Sequence, residues 1–292
     1  MKVLRRQDID LERWDTMVWH SENALFYNLS WCLDTLCEDW LVILKDDYHA
    51  GIALPIRSKL GIKYTYNPFL FHRISAIGIW SKEELDEALW ISSKYVDVRI
   101  REKIEGAKDW SNYELELDSN YLELIQGYNS NAKRNIKKGN AHNLNFKPMN
   151  NAALISFFFK ENVSFNKLGI KEKEYENFEK LMLEAFDCEI GHGFVVEMKE
   201  ETVATAFFIE FNNRLTFVKG TSSAIGRDFG AMHFLFDKIF NEYAGQSITL
   251  DFSGSNVSSV AQFYKSFGAT DRPICYVKRN HLPFPLNQLK KG

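Results

Sequence analysis

Tyr264 stands in a stretch of residues that could hold a phenol for proton transfer. The stretch NVSSVAQFYKSFGA covers residues 256–269. Its apolar residues recur at helical spacing and predict one buried stripe: Val257, Val260, Ala261, Tyr264 and Phe267. Ser255 is a suitable N-cap, and Gly268 suits a left-handed residue just past the helix end. A phenol on such a helix can protonate a leaving group; the alternative is that its ring only packs against a sheet.

A glycine-containing loop before another predicted helix could bind phosphate. The segment VKGTSSAIGRDFGAM, residues 218–232, contains Gly220, Gly226, Gly230 and Arg227. A helix start leaves backbone N–H groups without partners, and these groups and the helix dipole favour an anion. Glycine lets an anion approach the backbone, and Arg227 could add a charge-assisted contact. The alternative is a solvated turn before a surface helix.

Two charged residues end strands in the same part of the chain. Asp251 follows the strand SITL and could orient or deprotonate an amine, or it could cap the following turn. Lys219 follows LTFV at the start of the glycine loop. It could meet a carboxylate or phosphate, or it could remain solvated.

The spacing of histidines and cysteines favours neither a metal site nor a covalent intermediate. The 7 histidines contain no H-x-x-x-H or H-E-x-x-H pair, so we expect no metal. The 4 cysteines contain no C-x-x-C pair and are expected to be the reduced thiols of a cytoplasmic protein. No G-x-S-x-G motif is present, and no serine or cysteine stands in a setting typical of a nucleophile.

The composition is that of a globular chain with a small negative charge. Of 292 residues, 45% are hydrophobic and 14% are aromatic, which is enough for a sizeable core. The net charge of −3 does not favour broad binding of nucleic acid, although it is compatible with a local basic patch. The N-terminal MKVLRRQDIDLERW has no apolar region of a signal peptide, and no apolar run has the length of a membrane span. We therefore expect a cytoplasmic protein without a membrane span.

Residues 149–292 predict the elements that must position the candidate residues. Two helices are expected at 151–165 and 172–187. The predicted elements that follow are three meander strands, a helix capped by Asp228, a strand, the Tyr264 helix and a last strand: HGFVVEMK, TVATAFFIEF, RLTFVKG, DFGAMHFLFDKIFNEYAG, SITLDFSG, NVSSVAQFYKSFGA and PICYVKR. Lys199-Glu200-Glu201 and Asn212-Asn213 supply the turns of the meander.

Residues 1–148 predict a similar order of elements. The expected elements are helices at 8–19 and 23–40, strands, a helix with a capping box at Ser81, two more strands, two short helices and a strand from Leu144 to Lys147. Pro148 and the following MNNA form the best boundary in the chain. The repeated order indicates an internal duplication, but the corresponding segment YNPFLFHRISAIGIW has no glycine loop.

The second half resembles the acetyl-CoA-dependent N-acyltransferase superfamily, called GNAT, over roughly residues 190–278. Arg227-x-x-Gly230 matches part of the family's phosphate loop, (Gln/Arg)-x-x-Gly-x-(Gly/Ala), with Met232 at the last position. The residues that match the family's second motif are Asn256, Ala261, Phe263-Tyr264 and Gly268-Ala269.

The resemblance implies a site for acetyl-CoA or another acyl-CoA, used as co-substrate, at residues 217–231 and 256–264. In this family two central strands splay apart and the pantetheine lies between them. The positions carried over as donor-binding residues are Phe217, Val218, Arg227, Phe229, Gly230, Ala231 and Asn256. Backbone N–H groups near Phe217 would stabilise the oxyanion, Tyr264 would protonate the leaving thiolate, and Asp251 would act on the amine.

A degenerate first half beside a complete second half resembles the tandem branch of the superfamily, which includes the Fem-type peptidoglycan aminoacyltransferases. A basic helix of that branch is matched by Arg134, Ile136, Lys137, Lys138 and Gly139. Arg134 thereby becomes a candidate substrate contact, and the alternative is a solvated basic face. The resemblance implies an α/β (α+β) fold of two fused GNAT-like domains, 1–148 and 149–292, with mixed, mostly antiparallel sheets flanked by helices.

Three functions follow from the sequence. The first is direct acyl transfer from acyl-CoA to a primary amine, on a small molecule or a cell-envelope precursor, in a cleft between the halves. The second is Fem-type transfer from aminoacyl-tRNA. Fem-type enzymes commonly have a Phe-Lys-Lys-x-Phe-Gly run, and Tyr264 replaces its first lysine here. The chain also has no long charged heptad segment for the helical arm of these enzymes, and it is net acidic. These departures favour acyl-CoA over tRNA as the donor. The third is a non-catalytic binding module with a GNAT fold. The acceptor, the acyl chain and the oligomeric state stay open.

Overall fold

Two mixed sheets flanked by helices organise the chain, as the sequence predicts. The computed structural model describes residues 1–59, 61–162, 170–284 and 287–288. These residues form two compact units, one of Met1–Trp110 with Pro273–Gly292 and one of Ser111–Arg272.

The first unit is built on one sheet with the strand order β1-β2-β3-β4-β6-β15-β7, with β5 paired to β3. Its strands are β1 Lys2–Arg5, β2 Asp39–Lys45, β3 Ala50–Lys59, β4 Ile62–Tyr66, β5 Ala76–Ile77, β6 Tyr95–Ile100, β7 Lys108–Trp110 and β15 Ile274–Asn280. Its helices are α1 Leu11–Trp19, α2 Ser30–Leu36 and α3 Lys82–Ser92, with 3₁₀ turns at Arg6–Asp8 and Phe26–Asn28. The meander β2-β3-β4 is antiparallel, and β4 pairs with β6 in parallel.

The second unit repeats this pattern with the strand order β14-β8-β13-β12-β11-β10-β9. Its strands are β8 Tyr113–Glu116, β9 Asn145–Pro148, β10 Gly191–Met198, β11 Glu201–Phe211, β12 Arg214–Ser222, β13 Thr249–Asp251 and β14 Thr270–Asp271. Its helices are α4 Tyr121–Leu124, α5 Ser130–Ala141, α6 Ala152–Asn162, α7 Glu172–Asp187, α8 Ala224–Asp228, α9 Ala231–Tyr243 and α10 Ser258–Lys265, with a 3₁₀ turn at Ile125–Gly127. Again an antiparallel meander, β10-β11-β12, is followed by a parallel partner, β13.

The core of the second unit is a cluster of phenylalanine rings between α9 and the sheet. Phe236 and Phe240 on α9 are fully buried, and Phe236 lies 5.7 Å from Phe208 on β11, measured between ring centroids. The basic helix α5 packs on α9 through Gly139, where a Cβ atom would lie 2.9 Å from Cβ of Phe234. This close approach puts the basic helix beside the first turns of α9.

Elements specified by local signals agree with the prediction. Ser81 and Glu84 form the expected capping box of α3. Asn212 and Asn213 both have positive φ, 49° and 54°, as a two-residue turn between twisted strands requires. Of the predicted helix at 151–165, residues 163–165 lie outside the described residues.

The boundary between the units differs from the predicted division at 148/149. Residues 111–148 belong to the second unit because β8 pairs with β13 and β9 pairs with β10. The last strand, β15, belongs to the first unit because it pairs with β6 and β7.

The single helix predicted at 23–40 is wrong. The chain instead forms a 3₁₀ turn, the short helix α2 and the start of β2. The buried Asn28 accounts for the break: its Oδ1 accepts from the Leu25 N–H at 2.9 Å, and its Nδ2 donates to the Ser75 carbonyl at 3.0 Å.

Candidate functional site

A pocket of about 380 Å³ lies in the second unit, where β12, α8, α9 and α10 meet. We call it the glycine-loop pocket. Its lining residues are Asn135, Phe217, Gly220, Ser222, Gly226, Arg227, Gly230, Ala231, Met232, His233, Ser259, Val260, Phe263 and Tyr264. Residues of the two stretches 218–232 and 256–269 therefore line the same pocket.

The start of α9 opens on this pocket without a side-chain cap. Gly230 is the N-cap residue, in the left-handed conformation with φ 71° and ψ 27°, and no side chain caps the helix. Ala231, Met232 and His233, the first turn, all line the pocket. The predicted cap is wrong, because Asp228 is the last residue of α8 and the chain reverses through Gly230 before the next helix begins.

Two glycines of the loop are required by packing within the protein. A Cβ atom on Gly230 would lie 2.6 Å from the Asn135 carbonyl oxygen of α5. A Cβ atom on Gly226 would lie 2.1 Å from the Val203 carbonyl oxygen of β11. These contacts are too short for any side chain, so the glycines fix the position of the helix start as well as clearing space in the pocket.

Arg227 contributes positive charge at the wall of the pocket. It lies on α8, whose N-terminus is capped by Ser223 through a bond from the Gly226 N–H to Oγ at 3.1 Å. The Nη1 atom of Arg227 donates to the Ser222 carbonyl at 2.8 Å. The side chain is exposed, so the rest of the guanidinium is accessible to a ligand.

The strands β12 and β13 part beside the pocket. Their parallel pairing covers Arg214 to Thr216 on β12 and ends at Asp251 on β13, while β12 continues to Ser222. The register with β11 also shifts here, since Phe207 pairs with Lys219 and Phe208 pairs with Phe217. Val218 is thus the extra residue of a bulge. Within the described chain, β12 beyond Thr216 has no strand partner on the β13 side.

Tyr264 is a buried phenol in the wall of the pocket. The residue is 6% exposed, and its ring lies 4.5 Å from the ring of Phe252 and 5.9 Å from that of Tyr113, measured between centroids. Burial raises the pKa of the phenol well above its usual value, and the negative charge of Asp251 raises it further. The phenol is therefore protonated at neutral pH.

The Tyr264 helix differs from the prediction only at its start. Val257, not Ser255, is the N-cap residue, and Val257 is 60% exposed rather than buried. The Ser255 hydroxyl instead accepts from the Val257 N–H at 3.0 Å, in the turn before the helix. Gly268 has the predicted left-handed conformation, with φ 89°.

Asp251 is a buried carboxylate that does not line the pocket. It is 1% exposed, and its Oδ2 lies 3.2 Å from Nη1 of Arg214. Its Oδ1 accepts from the Ser253 N–H at 2.9 Å, which is the turn-capping contact considered for it from the sequence. Nη1 of Arg214 also lies 2.8 Å from an oxygen of Glu114. The carboxylate of Asp251 therefore belongs to an ion-pair network that joins β8, β12 and β13.

Sequence reasoning missed His233 as a pocket residue. Its ring lies 4.7 Å from that of Phe263, and its Nε2 is 3.4 Å from the Asn131 amide nitrogen. Burial, together with the positive charge of Arg134, lowers the pKa of His233 to about 4, so the imidazole is neutral at pH 7. Its position three residues after Gly230 was a usable signal, because the first turn of a phosphate-binding helix faces the ligand. Asn135, Ser222 and Ser259 carried no such signal.

Several predicted residues lie outside the lining of this pocket. Val218 is buried in the bulge, and Lys219 follows it. The Phe229 ring packs 4.2 Å from the ring of His142, measured between centroids. Oδ1 of Asn256 accepts from the Ser111 N–H at 3.3 Å, and Nη2 of Arg134 donates to Oδ1 of Asn131 at 2.7 Å.

The described residues contain no group of three or more His, Cys, Asp or Glu side chains placed to hold a metal ion. None of the helices they form combines the length and apolar content needed to cross a bilayer.

Solved structures share this arrangement of two related sheets. FemX aligns over 100% of both chains with a TM-score of 0.69 and 13% sequence identity. The chain therefore has a Fem-type fold, that of FemX. L-PGS from Bacillus licheniformis aligns over 96% of this chain and 95% of its own with a TM-score of 0.57 and 13% identity. The C-terminal domain of a proposed lysylphosphatidylglycerol synthetase from Agrobacterium fabrum aligns over 93% of this chain and 92% of its own, also with a TM-score of 0.57 and 13% identity. No protein family model and no curated protein matches the sequence.

The two units of this Fem-type fold differ at the helix that follows the third meander strand. In the first unit this helix is α3, and its start is closed by its own side chains: Ser81 accepts from the Glu84 N–H, and the Glu84 carboxylate accepts from the Ser81 N–H. Glu83 adds a further negative charge in that turn. In the second unit the start of α9 has no such cap. An anion is therefore favoured at α9 and opposed at α3.

Proposed function

We propose that this protein is an N-acyltransferase that moves an acyl group from acyl-CoA to a primary amine. One observation carries the proposal: the uncapped start of α9, the part of β12 that extends beyond its pairing with β13, and the phenol of Tyr264 all border one pocket. These three features are what a diphosphate, a pantetheine arm and a leaving thiolate require. The Fem-type fold supports acyl or aminoacyl transfer as the reaction class.

The proposed reaction is a direct attack of the amine on the thioester carbonyl. A C–N bond forms, the tetrahedral intermediate carries an oxyanion, and the C–S bond then breaks to release the thiolate of CoA. The thiolate takes up one proton and the amine loses one, so the charges balance. Backbone N–H groups of the β12 bulge, at Phe217 and Val218, are the proposed donors to the oxyanion.

Tyr264 is the proposed acid in this reaction. Its raised pKa keeps the phenol protonated, which is the form that an acid needs. The same burial makes full release of the proton costly. We therefore expect the phenol to stabilise the departing sulfur mainly as a hydrogen-bond donor.

Asp251 has a positioning role in this proposal rather than that of a base for the amine. Its carboxylate is engaged by Arg214 and by the Ser253 N–H, and it acts on Tyr264 by raising the pKa of the phenol. Asp251 also lies outside the lining of the glycine-loop pocket, so it is not placed to take a proton from an amine there.

The donor is larger than the glycine-loop pocket, so the proposal includes contacts beyond it. Arg227, Gly230 and Ala231 would bind the diphosphate. The further proposed donor contacts are Val218, Phe229 and Asn256, and the proposed substrate contacts are Lys219 and Arg134. Arg134 is close enough to the first turn of α9 to lower the pKa of His233, so its charge acts on an anion held there.

Calorimetric titration of the full chain with acetyl-CoA tests whether acyl-CoA is the donor. We expect saturable binding that weakens at least tenfold when Arg227 is replaced by methionine, because one charge-assisted contact is lost. The matched control is Arg5→Met, since Arg5 lies on β1 of the other unit and does not line the pocket. Release of free thiol on addition of a primary amine then tests the transfer step. Absence of acetyl-CoA binding would remove the acyl-CoA proposal.

A second candidate is aminoacyl transfer from a charged tRNA, and the surface of α5 favours it. The exposed basic residues of this helix are Lys133, Arg134, Lys137 and Lys138. Such a stripe attracts a polyanion over several phosphates, with an affinity that falls steeply with salt. Binding of aminoacyl-tRNA without binding of acetyl-CoA would support this candidate. Binding of neither donor would support a non-catalytic module.

A further inference from the structure

A second pocket of about 380 Å³ opens on one face of the sheet of the first unit. Aromatic side chains from four strands line it: Tyr64 and Tyr66 on β4, Tyr95 on β6, Trp110 on β7 and Tyr276 on β15. Residues 95, 97 and 99 of β6 share this face because side chains alternate along a strand. The pocket therefore combines rings with the two charged side chains Asp97 and Arg99.

Arg99 is a largely buried cation without an ion-pair partner in this pocket. Its Nη2 donates to the Phe71 carbonyl at 3.3 Å, and its Cζ lies 5.5 Å from the centroid of the Trp110 ring. No carboxylate of the described residues lies within 4.0 Å of its nitrogens. Burial lowers the pKa of Arg99, and the nearby Tyr27, Asp97 and Tyr276 only partly offset this effect. An arginine remains charged under such conditions, so the pocket contains a guanidinium that no carboxylate of the described residues contacts directly.

The carboxylate of Asp97 is bonded to two phenols rather than to the guanidinium of Arg99. Tyr276 donates its O–H to Oδ1 of Asp97 at 2.9 Å, and Tyr95 donates to Oδ2 at 3.3 Å. These bonds fix the two rings in the wall of the pocket. They also use the carboxylate as a structural acceptor.

Asn67 holds the backbone of Arg99 at the wall of the pocket. Its Oδ1 accepts from the Arg99 backbone N–H at 2.5 Å, which fixes the orientation of the amide. The Nδ2 atom is buried and has no hydrogen-bond partner among the residues that the structure describes. The bond to the Arg99 backbone therefore holds in place the wall of the pocket that carries the guanidinium.

We infer that this pocket binds a small ring-containing molecule with one anionic group, a carboxylate or a phosphate. An oxygen of that group accepts from the guanidinium of Arg99, and the ring packs against the tyrosines and Trp110. The volume lies in the range of small-ligand sites, and apolar walls with a few fixed polar groups are their usual lining. Flat aromatic rings and the apolar faces of sugars both fit such walls.

Calorimetric titration of the full chain tests this inference with matched probes. The anions are 4-hydroxybenzoate, glucuronate and glucose 6-phosphate, and the neutral counterparts are 4-hydroxybenzamide and glucose. We expect at least one anion to bind saturably and its neutral counterpart to bind at least tenfold more weakly. The three anions separate aryl carboxylate, sugar acid and sugar phosphate. Absence of saturable binding of every anion at millimolar concentration would overturn the inference.

Arg99→Met tests the residue that carries the charge. Methionine preserves the length and packing of the side chain, so we expect at least tenfold weaker anion binding without a lower unfolding temperature. Arg13→Met is the matched control, because Arg13 also lies over a tyrosine ring, that of Tyr48, but not in this pocket. Unchanged binding in Arg99→Met would contradict the inference. Acetyl-CoA titrations of the same variants keep this result separate from that of the glycine-loop pocket.

Discussion

Gly230→Ala is the substitution that most directly tests the construction of the helix start. At φ 71° an alanine costs about 1–2 kcal/mol, because its Cβ crowds the carbonyl in the left-handed conformation. The new Cβ would also lie 2.6 Å from the Asn135 carbonyl oxygen and 2.9 Å from Cβ of Asn135. Overpacking of this kind costs about 1–3 kcal/mol more. The total expected loss is about 2–5 kcal/mol of unfolding free energy.

Gly245→Ala is the matched control. Gly245 lies just after the end of the same helix, with φ 79°, and nothing lies within 4 Å of a Cβ added there. Only the backbone strain of about 1–2 kcal/mol applies. The gain from a stiffer unfolded chain is the same in both variants, so it cancels in their difference.

Urea unfolding and thermal melts of the two variants give the comparison. We expect Gly230→Ala to be less stable than Gly245→Ala by about 1–3 kcal/mol, a further fall in melting temperature of about 2–12 °C. Only Gly230→Ala should weaken acetyl-CoA binding, because it alone pushes α5 away from the start of α9. Equal loss of stability in both variants would refute the argument that this glycine is required by the approach of α5.

Three further predictions concern side chains in and near the glycine-loop pocket. Tyr264→Phe should lower the turnover number roughly ten- to a hundredfold with little change in acetyl-CoA affinity; steady-state kinetics and calorimetry check this, with Tyr243→Phe as a control outside the pocket. The pKa of His233 is about 4 in the folded chain, against a reference value of 6.5, so the unfolded chain binds more protons between these pH values. The contribution of His233 to the free energy of unfolding therefore falls by up to ~3 kcal/mol as the pH drops from about 6.5 to 4. His233→Gln should remove that part of the pH dependence, which urea unfolding at pH 4.5 and 7 measures. An equal loss of unfolding free energy between these pH values in the variant and the unsubstituted protein would contradict this. Asp251→Asn should lower the pKa of Tyr264, because a negative charge that opposes ionisation is lost. It should also lower the free energy of unfolding by about 1–3 kcal/mol through the weakened network at Arg214. An unchanged ultraviolet titration of the phenol would contradict the first expectation.

The sequence by itself determined the elements whose causes are local. The capping box at Ser81, the Asn212-Asn213 turn and the stripe of Ala261, Tyr264 and Phe267 all rest on residues a few positions apart. Such signals act within one turn of helix or one hairpin, so the chain chemistry nearby is sufficient to specify them. Gly230 was recognised on the same basis, as a residue able to relieve a helix start.

Only the tertiary structure decided which elements share a sheet. Residues 111–116 and 274–280 look like ordinary strands, and nothing in either segment says that β8 pairs with β13 or that β15 pairs with β6. Backbone hydrogen bonds are the same for every strand, so the choice of partner depends on which surfaces the whole fold leaves available. For this reason the two compact units divide the chain differently from the predicted boundary at 148.

The same reason explains the side chains that the sequence analysis overlooked. His233 and Asn135 come together in one pocket only because α5 packs on α9 through Gly139. Arg99 and Asn67 become neighbours because a loop and a strand meet at the sheet of the first unit. A residue type and its spacing announce chemistry within one element, whereas a site assembled from several elements exists only after the long-range contacts have formed.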